Sequence, residues 1–193
     1  MIKGNLSRLF IAGILLATAA NASAINCNDP SPNLAIEGDS YYDINEVEPL
    51  SKQQKQILQN MFSAIAGKRL EGYGSFTECT GPESNAKKVT KNETYSAVIN
   101  QTPDGNLILA IDTFSVDRNI AYHETLSYFD SQNQYRINTL TDHLLNISYK
   151  LRIKKAFTEE ITEISVSNRN IMITVTRYTG GYFAMQQVRK LSF

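Results

Sequence analysis

From residue 143 onward the chain alternates cleanly between apolar and polar positions. His143, Leu145, Ile147, Tyr149, Leu151 and Ile153 share one parity, and Leu144, Asn146, Ser148, Lys150, Arg152 and Lys154 share the other. A period of two belongs to a β-strand with one face buried and one face wet. Comparable stretches predict strands over 71–79, 89–101, 106–116, 118–129, 134–140, 143–154, 161–167, 171–179 and 182–191. Turn chemistry separates them. Thr102-Pro103-Asp104-Gly105, the polar run 130–133, Asn168-Arg169-Asn170 and Gly180-Gly181 each suit a reversal of the chain.

One segment follows a different period. Ile57, Leu58, Met61, Phe62 and Ile65 form a stripe about two residues wide at helical spacing, opposite Lys52, Gln53, Lys55, Gln56 and Asn60. Ser51 and Gln54 fit a capping box at its start, and Gly67 fits its C-terminal end. No helical pattern recurs after Gly67, which excludes a parallel α/β architecture. The expected fold is therefore mainly β. It is an antiparallel meander of about eight or nine strands forming a barrel or cupped sheet, with one N-terminal helix. A meander this long must close or fold over to manage its edges.

The first 24 residues stand apart from this domain. Lys3 and Arg8 precede an apolar run over 9–20, and Asn21-Ala22-Ser23-Ala24 supplies small residues where a signal peptidase cuts. The run is too short to span a membrane. The reading is a signal peptide over 1–24, an extended arm over 25–50 rich in Asn, Asp, Pro, Ser and Glu, and one helix-plus-β-barrel domain over 51–193. Export places the mature chain in a periplasm or outside the cell.

Export also gives meaning to Cys27 and Cys79, the chain's only cysteines. A pair in an oxidising compartment predicts one disulfide. Ile25-Asn26 does not suit a lipid anchor on Cys27, and the spacing does not suit a metal site. With two of the 19 basic residues in the leader, the mature chain holds 17 against 19 acidic ones. That balance argues against nucleic acid or an anionic membrane as partner. No second apolar run reaches membrane length. Asn92, Asn100 and Asn146 head Asn-x-Ser/Thr triplets and read as ordinary strand and turn residues.

Gly72-Tyr73-Gly74 on the first strand and Arg189 late in the last one give the chain a family likeness. In layout, over 67–193, it resembles the lipocalin-like (calycin) β-barrels, whose first strand carries Gly-x-Trp and whose last strand carries an Arg across that Trp. This chain has no Trp. The resemblance implies an up-and-down barrel, with Arg189 stacked on an aromatic ring at its closed end.

Candidate chemistry is sparse. His123 and Glu124 are neighbours on a strand and point to opposite faces, so they cannot form an acid–base pair by themselves. Asp142-His143 suits an exposed turn. No Gly-x-Ser-x-Gly elbow, phosphate loop, metal spacing or cofactor motif occurs, so no catalytic residue, metal or cofactor is expected. Tyr122, Glu124 and Tyr128 share a strand face, and Tyr149 lies on another apolar face. On an interior face the acid needs a partner such as a tyrosine or an Arg. Those four are the candidate ligand-binding residues. Tyr178 and Tyr182 flank a hairpin tip and are the candidate partner contacts. Lys150, Arg152, Lys154 and Lys155 form a basic stripe suited to a solvated face. Two functions fit: an exported non-enzymatic protein holding a small apolar or amphipathic ligand in its barrel, or a secreted protein–protein interaction module, such as an inhibitor, adaptor or effector, with no internal ligand.

Overall fold

Nine strands form where the alternation places them: β1 (Arg69–Thr80), β2 (Lys87–Gln101), β3 (Leu107–Ser115), β4 (Ile120–Tyr128), β5 (Arg136–Leu140), β6 (Leu144–Ile153), β7 (Ala156–Ser167), β8 (Asn170–Thr179) and β9 (Tyr182–Ser192). A single helix, α1 (Lys52–Phe62), precedes them. The computed structural model describes residues 26–32, 49–82, 85–129, 135–153, 156–167 and 169–192. The expected signal peptide and most of the arm lie outside them, as do Lys154 and Lys155 and the side chains of Lys150 and Arg152.

All pairings are antiparallel, and the strand order is β4-β3-β2-β1-β9-β8-β7-β6-β5. The first and last strands therefore meet at the centre of the sheet, while the two edges, β4 and β5, are consecutive in sequence. The architecture is a curled half-barrel, an up-and-down barrel left open along one seam. Gly72 and Gly74 face the concave side of β1, where a Cβ would run into the Lys190 and Val188 carbonyls of β9. Only glycine permits so close an approach at this bend.

The concave face carries the core. Leu70, Ala97, Ile99, Leu107, Leu109, Ile111, Leu145, Ile147, Ile164, Ile171, Ile173 and Leu191 are buried on it, and Leu58, Met61 and Phe62 of α1 pack into it. The capping box forms as expected, with Gln54 N–H donating to Ser51 Oγ (3.2 Å) and Ser51 N–H to Gln54 Oε1 (2.8 Å). The helix ends sooner than its stripe suggests. Ser63 is the C-cap, and Ile65 is buried from the turn that follows. Gly67 (φ +73°) closes that turn, donating to the Ile99 carbonyl at 2.8 Å.

The Thr102–Gly105 turn also forms, with Gly105 at φ +94° donating to the Thr102 carbonyl at 2.9 Å. Cys27 and Cys79 are joined by a disulfide. Residues 26–32 continue past it along the start of β9. Ser31 N–H donates to the Gly181 carbonyl (2.8 Å), and Phe183 N–H donates to the Asp29 carbonyl (3.0 Å). The arm's first residues are thus fixed to both central strands.

Closing a loop across a sequence separation of 52 removes unfolded-chain entropy worth about 4 kcal/mol. Replacing both cysteines by serine is expected to lower the unfolding free energy by about that amount. The urea midpoint should fall while the far-UV circular dichroism of the folded state stays unchanged.

Candidate functional site

Strand parity decides which side chains can meet inside the half-barrel. On β4 the even positions Tyr122, Glu124, Leu126 and Tyr128 oppose Thr113, Ile111, Leu109 and Leu107 of β3, the buried parity of that strand. On β6, Tyr149 opposes Glu160 and lies in phase with Leu145 and Ile147. All four candidate ligand-binding residues therefore face the same interior. His123 has the opposite parity and bonds Asp112 through Nδ1 at 2.8 Å on the outer face. His143 Nδ1 lies 2.5 Å from Asp142 Oδ1, fully in solvent at the turn. Neither histidine reaches the interior.

At the centre of the concave face sits a polar cluster. The Arg189 guanidinium, 1% exposed, pairs with Glu124 across the interior and donates to Gln187 Oε1 at 2.5 Å. Its carbon lies 5.5 Å from the centroid of the Tyr95 ring, a cation–π stack. Gln187 Nε2 donates to Glu93 Oε2 at 2.9 Å, and that same oxygen accepts the Tyr95 hydroxyl at 2.5 Å. Tyr122 donates to Glu93 Oε1 at 3.1 Å. The expected stack of Arg189 on an aromatic is present, but the ring is Tyr95. Tyr73 points outward and is 66% exposed, because odd positions of β1 lie on the convex face. Gly74, which opposes both Glu93 and Arg189 in register, leaves the space in which the stack fits.

The cluster is incompletely satisfied. Among the described residues, Arg189 Nε and Nη1 are buried without a hydrogen-bond partner, as is the hydroxyl of Ser115. Buried donors of this kind call for an acceptor from water or a ligand. Toward the seam the face becomes aromatic. The Tyr135 ring lies 4.9 Å from Tyr128 and 5.4 Å from Tyr149, linking the end of β4 to β6 where no backbone pairing does. An open depression of about 720 Å³ lies over β1–β4 and is lined mostly by residues of the outer face, among them Glu71, Ser96, Asp112, Phe114 and His123.

The hairpin tip differs from expectation. Tyr182 is 47% exposed, but Tyr178 is 8% exposed, packed edge-on against Phe183. Tyr178 lies on the convex side by its strand parity, and a register shift between Arg177 and Tyr178 brings Phe183 to the same side. Ser31 and Glu159, hydrogen-bonded to each other, are also buried there. Glu93, Tyr95 and Gln187 escaped the sequence reading. Each sits in phase with aliphatic residues of its strand, and an acid or amide at such a position was the available signal.

No protein-family model matches the chain, and no curated protein matches its sequence. The half-barrel is compatible with a barrel-like fold, and its layout carries the lipocalin-like resemblance no further than that. No helix among the described residues is long and apolar enough to cross a membrane.

Burial holds the phenols of Tyr95 and Tyr128 well above the usual tyrosine range, and for Tyr95 the Glu93 carboxylate adds to the effect. Up to about pH 10 both phenols keep their protons in folded and unfolded chains alike, so their contribution is fully present. Above that the unfolded chain releases protons that the folded protein retains, and stability falls by about 1.4 kcal/mol per pH unit for each phenol. Urea midpoints measured from roughly pH 9 to 12 should show this decline. Tyr95→Phe and Tyr128→Phe should each remove one proton's share of the slope.

Proposed function

We propose that the chain is an exported, non-enzymatic binding protein that holds a small amphipathic molecule against the concave face of its half-barrel. The observation that carries this reading is Arg189. Two of its donors are buried with no partner among the described residues, beside aliphatic and aromatic side chains of the same face. A ligand with a hydrogen-bond acceptor at one end would satisfy them, and its apolar body would lie along Leu126, Tyr128, Tyr135 and Tyr149 toward the seam. Glu124 and Glu93 together already outnumber the guanidinium, so a neutral acceptor, such as an amide or ester carbonyl, suits the site better than a further anion.

Export rests on two features that agree. The leader pattern over 1–24 addresses the chain to a translocon, and the Cys27–Cys79 disulfide is a bond of oxidising compartments. The open seam supplies an entrance. Tyr122 and Glu124 are only partly buried there, and β4 and β5 share no backbone ladder.

Protein purified from its own secretory compartment should release a small molecule on organic extraction, seen as a mass excess by native mass spectrometry. The emptied protein should bind the uncharged dye N-phenyl-1-naphthylamine with a defined stoichiometry and unchanged near-UV circular dichroism. Tyr149→Arg, which sets a charge in the apolar stretch, should weaken dye binding by about tenfold. A folded wild-type protein that carries no small molecule and binds no dye would sink the proposal.

A further inference from the structure

The two edges of the half-barrel are built differently. β5 has five residues and a register shift between Ile137 and Thr139, features that blunt an edge against pairing. β4 has nine residues in unbroken register with β3 and contains no Pro, no Lys and no bulge. Among the described residues, no backbone group pairs with its free side. Exposed apolar side chains gather at the same place: Ile120 is 52% and Tyr122 40% exposed, with Phe114 and Val116 on the adjoining β3 segment. A long, regular, apolar free edge is a template for another strand.

The sequence of β4 says which strand. In an antiparallel pair, residues facing each other must share a face, which requires an even sum of their numbers. When β4 is set against a second β4 with the two-fold axis at His123, Ile120 meets the partner's Leu126. Tyr122 then meets the partner's Glu124, and Ala121 meets the partner's Thr125. Apolar faces apolar, and a phenol faces a carboxylate. A shift of the axis to Glu124 sets two carboxylates opposite each other. A shift to Tyr122 sets Ile120 against Glu124. The Tyr128–Tyr135 contact ties the far end of β4 to its own chain, which leaves residues 120–126 for pairing.

We propose that a second copy of this chain adds to the β4 edge in that register, joining two half-barrels into one continuous sheet through an isologous two-fold contact. The occupant is a copy of the chain because β4 complements itself at each pair on the concave face. The dimer does not depend on a ligand, so it stands or falls separately from the binding role.

Sedimentation velocity on the full exported chain, stripped of small molecules, should show a dimer that dissociates on dilution. His123→Lys sets an ammonium group beside Asp112 and brings two such groups together across the axis. It should weaken the dimer about fivefold or more at low salt, with the effect shrinking as salt rises. His123→Cys should form an interchain disulfide under mild oxidation, while Thr125→Cys alone, facing Ala121, should not. Three results would overturn the proposal: a wild-type chain monomeric at all concentrations, cross-linking at residue 125 but not 123, or β4 amides of the monomer already protected from hydrogen exchange by another segment of the same chain.

Discussion

A guanidinium removed from water must be neutralised where it stands, and the half-barrel is arranged around that requirement. Arg189 enters from β9 at the sheet centre, and its counter-ion, Glu124, comes from the edge strand β4. The two strands are separated in the sheet by β1, β2 and β3, so the pair can form only if the sheet curls over its own concave face. Tyr95 receives the flat side of the guanidinium, and Gln187 joins it to Glu93. Removing one member of such a set leaves an uncompensated buried charge, whereas curling the sheet satisfies all of them together. Curvature here follows from electrostatics as much as from strand twist.

The same cluster divides the interior into layers. On one side aliphatic residues and the stripe of α1 make a dry core. On the other, Glu78 pairs with Lys91 and Arg118, and Glu160 pairs with Arg177, in a wetter layer. Polar and apolar surfaces meet at the border between them. Leaving one seam open keeps that border accessible, and the Tyr128–Tyr135–Tyr149 rings hold the seam's end together without a ladder of backbone hydrogen bonds.

The strand content and its phase were legible because period two survives wherever one face is buried. Glu124 stood out on an apolar face and needed a partner such as a tyrosine or an Arg, and Arg189 provides it. The disulfide followed from two cysteines behind a leader. Other features depend on long-range pairing that no local pattern encodes. That β1 lies beside β9, and that the break falls between β4 and β5, are properties of the whole sheet. The identity of the ring beneath Arg189 depends on the β1–β2 register, which puts Tyr95 inward and Tyr73 outward. Tyr178 is covered by Phe183, which a single register shift in the β8–β9 hairpin brings to its side of the sheet. The last turn of the helix was lost to Ser63, whose backbone N–H and Oγ both donate to the Asn60 carbonyl.

The position of β9 bears on when the molecule can fold. The eleven residues of β9 are not an appendage; they fill the slot between β1 and β8 and bring Arg189 with them. Until they emerge from the ribosome, the two halves of the sheet have no strand between them, and Glu124 has no guanidinium to neutralise it. Contacts between residues so far apart in sequence form slowly. The strand farthest along the chain therefore closes the centre of the sheet, and neither half can bury its concave face until that strand is in place.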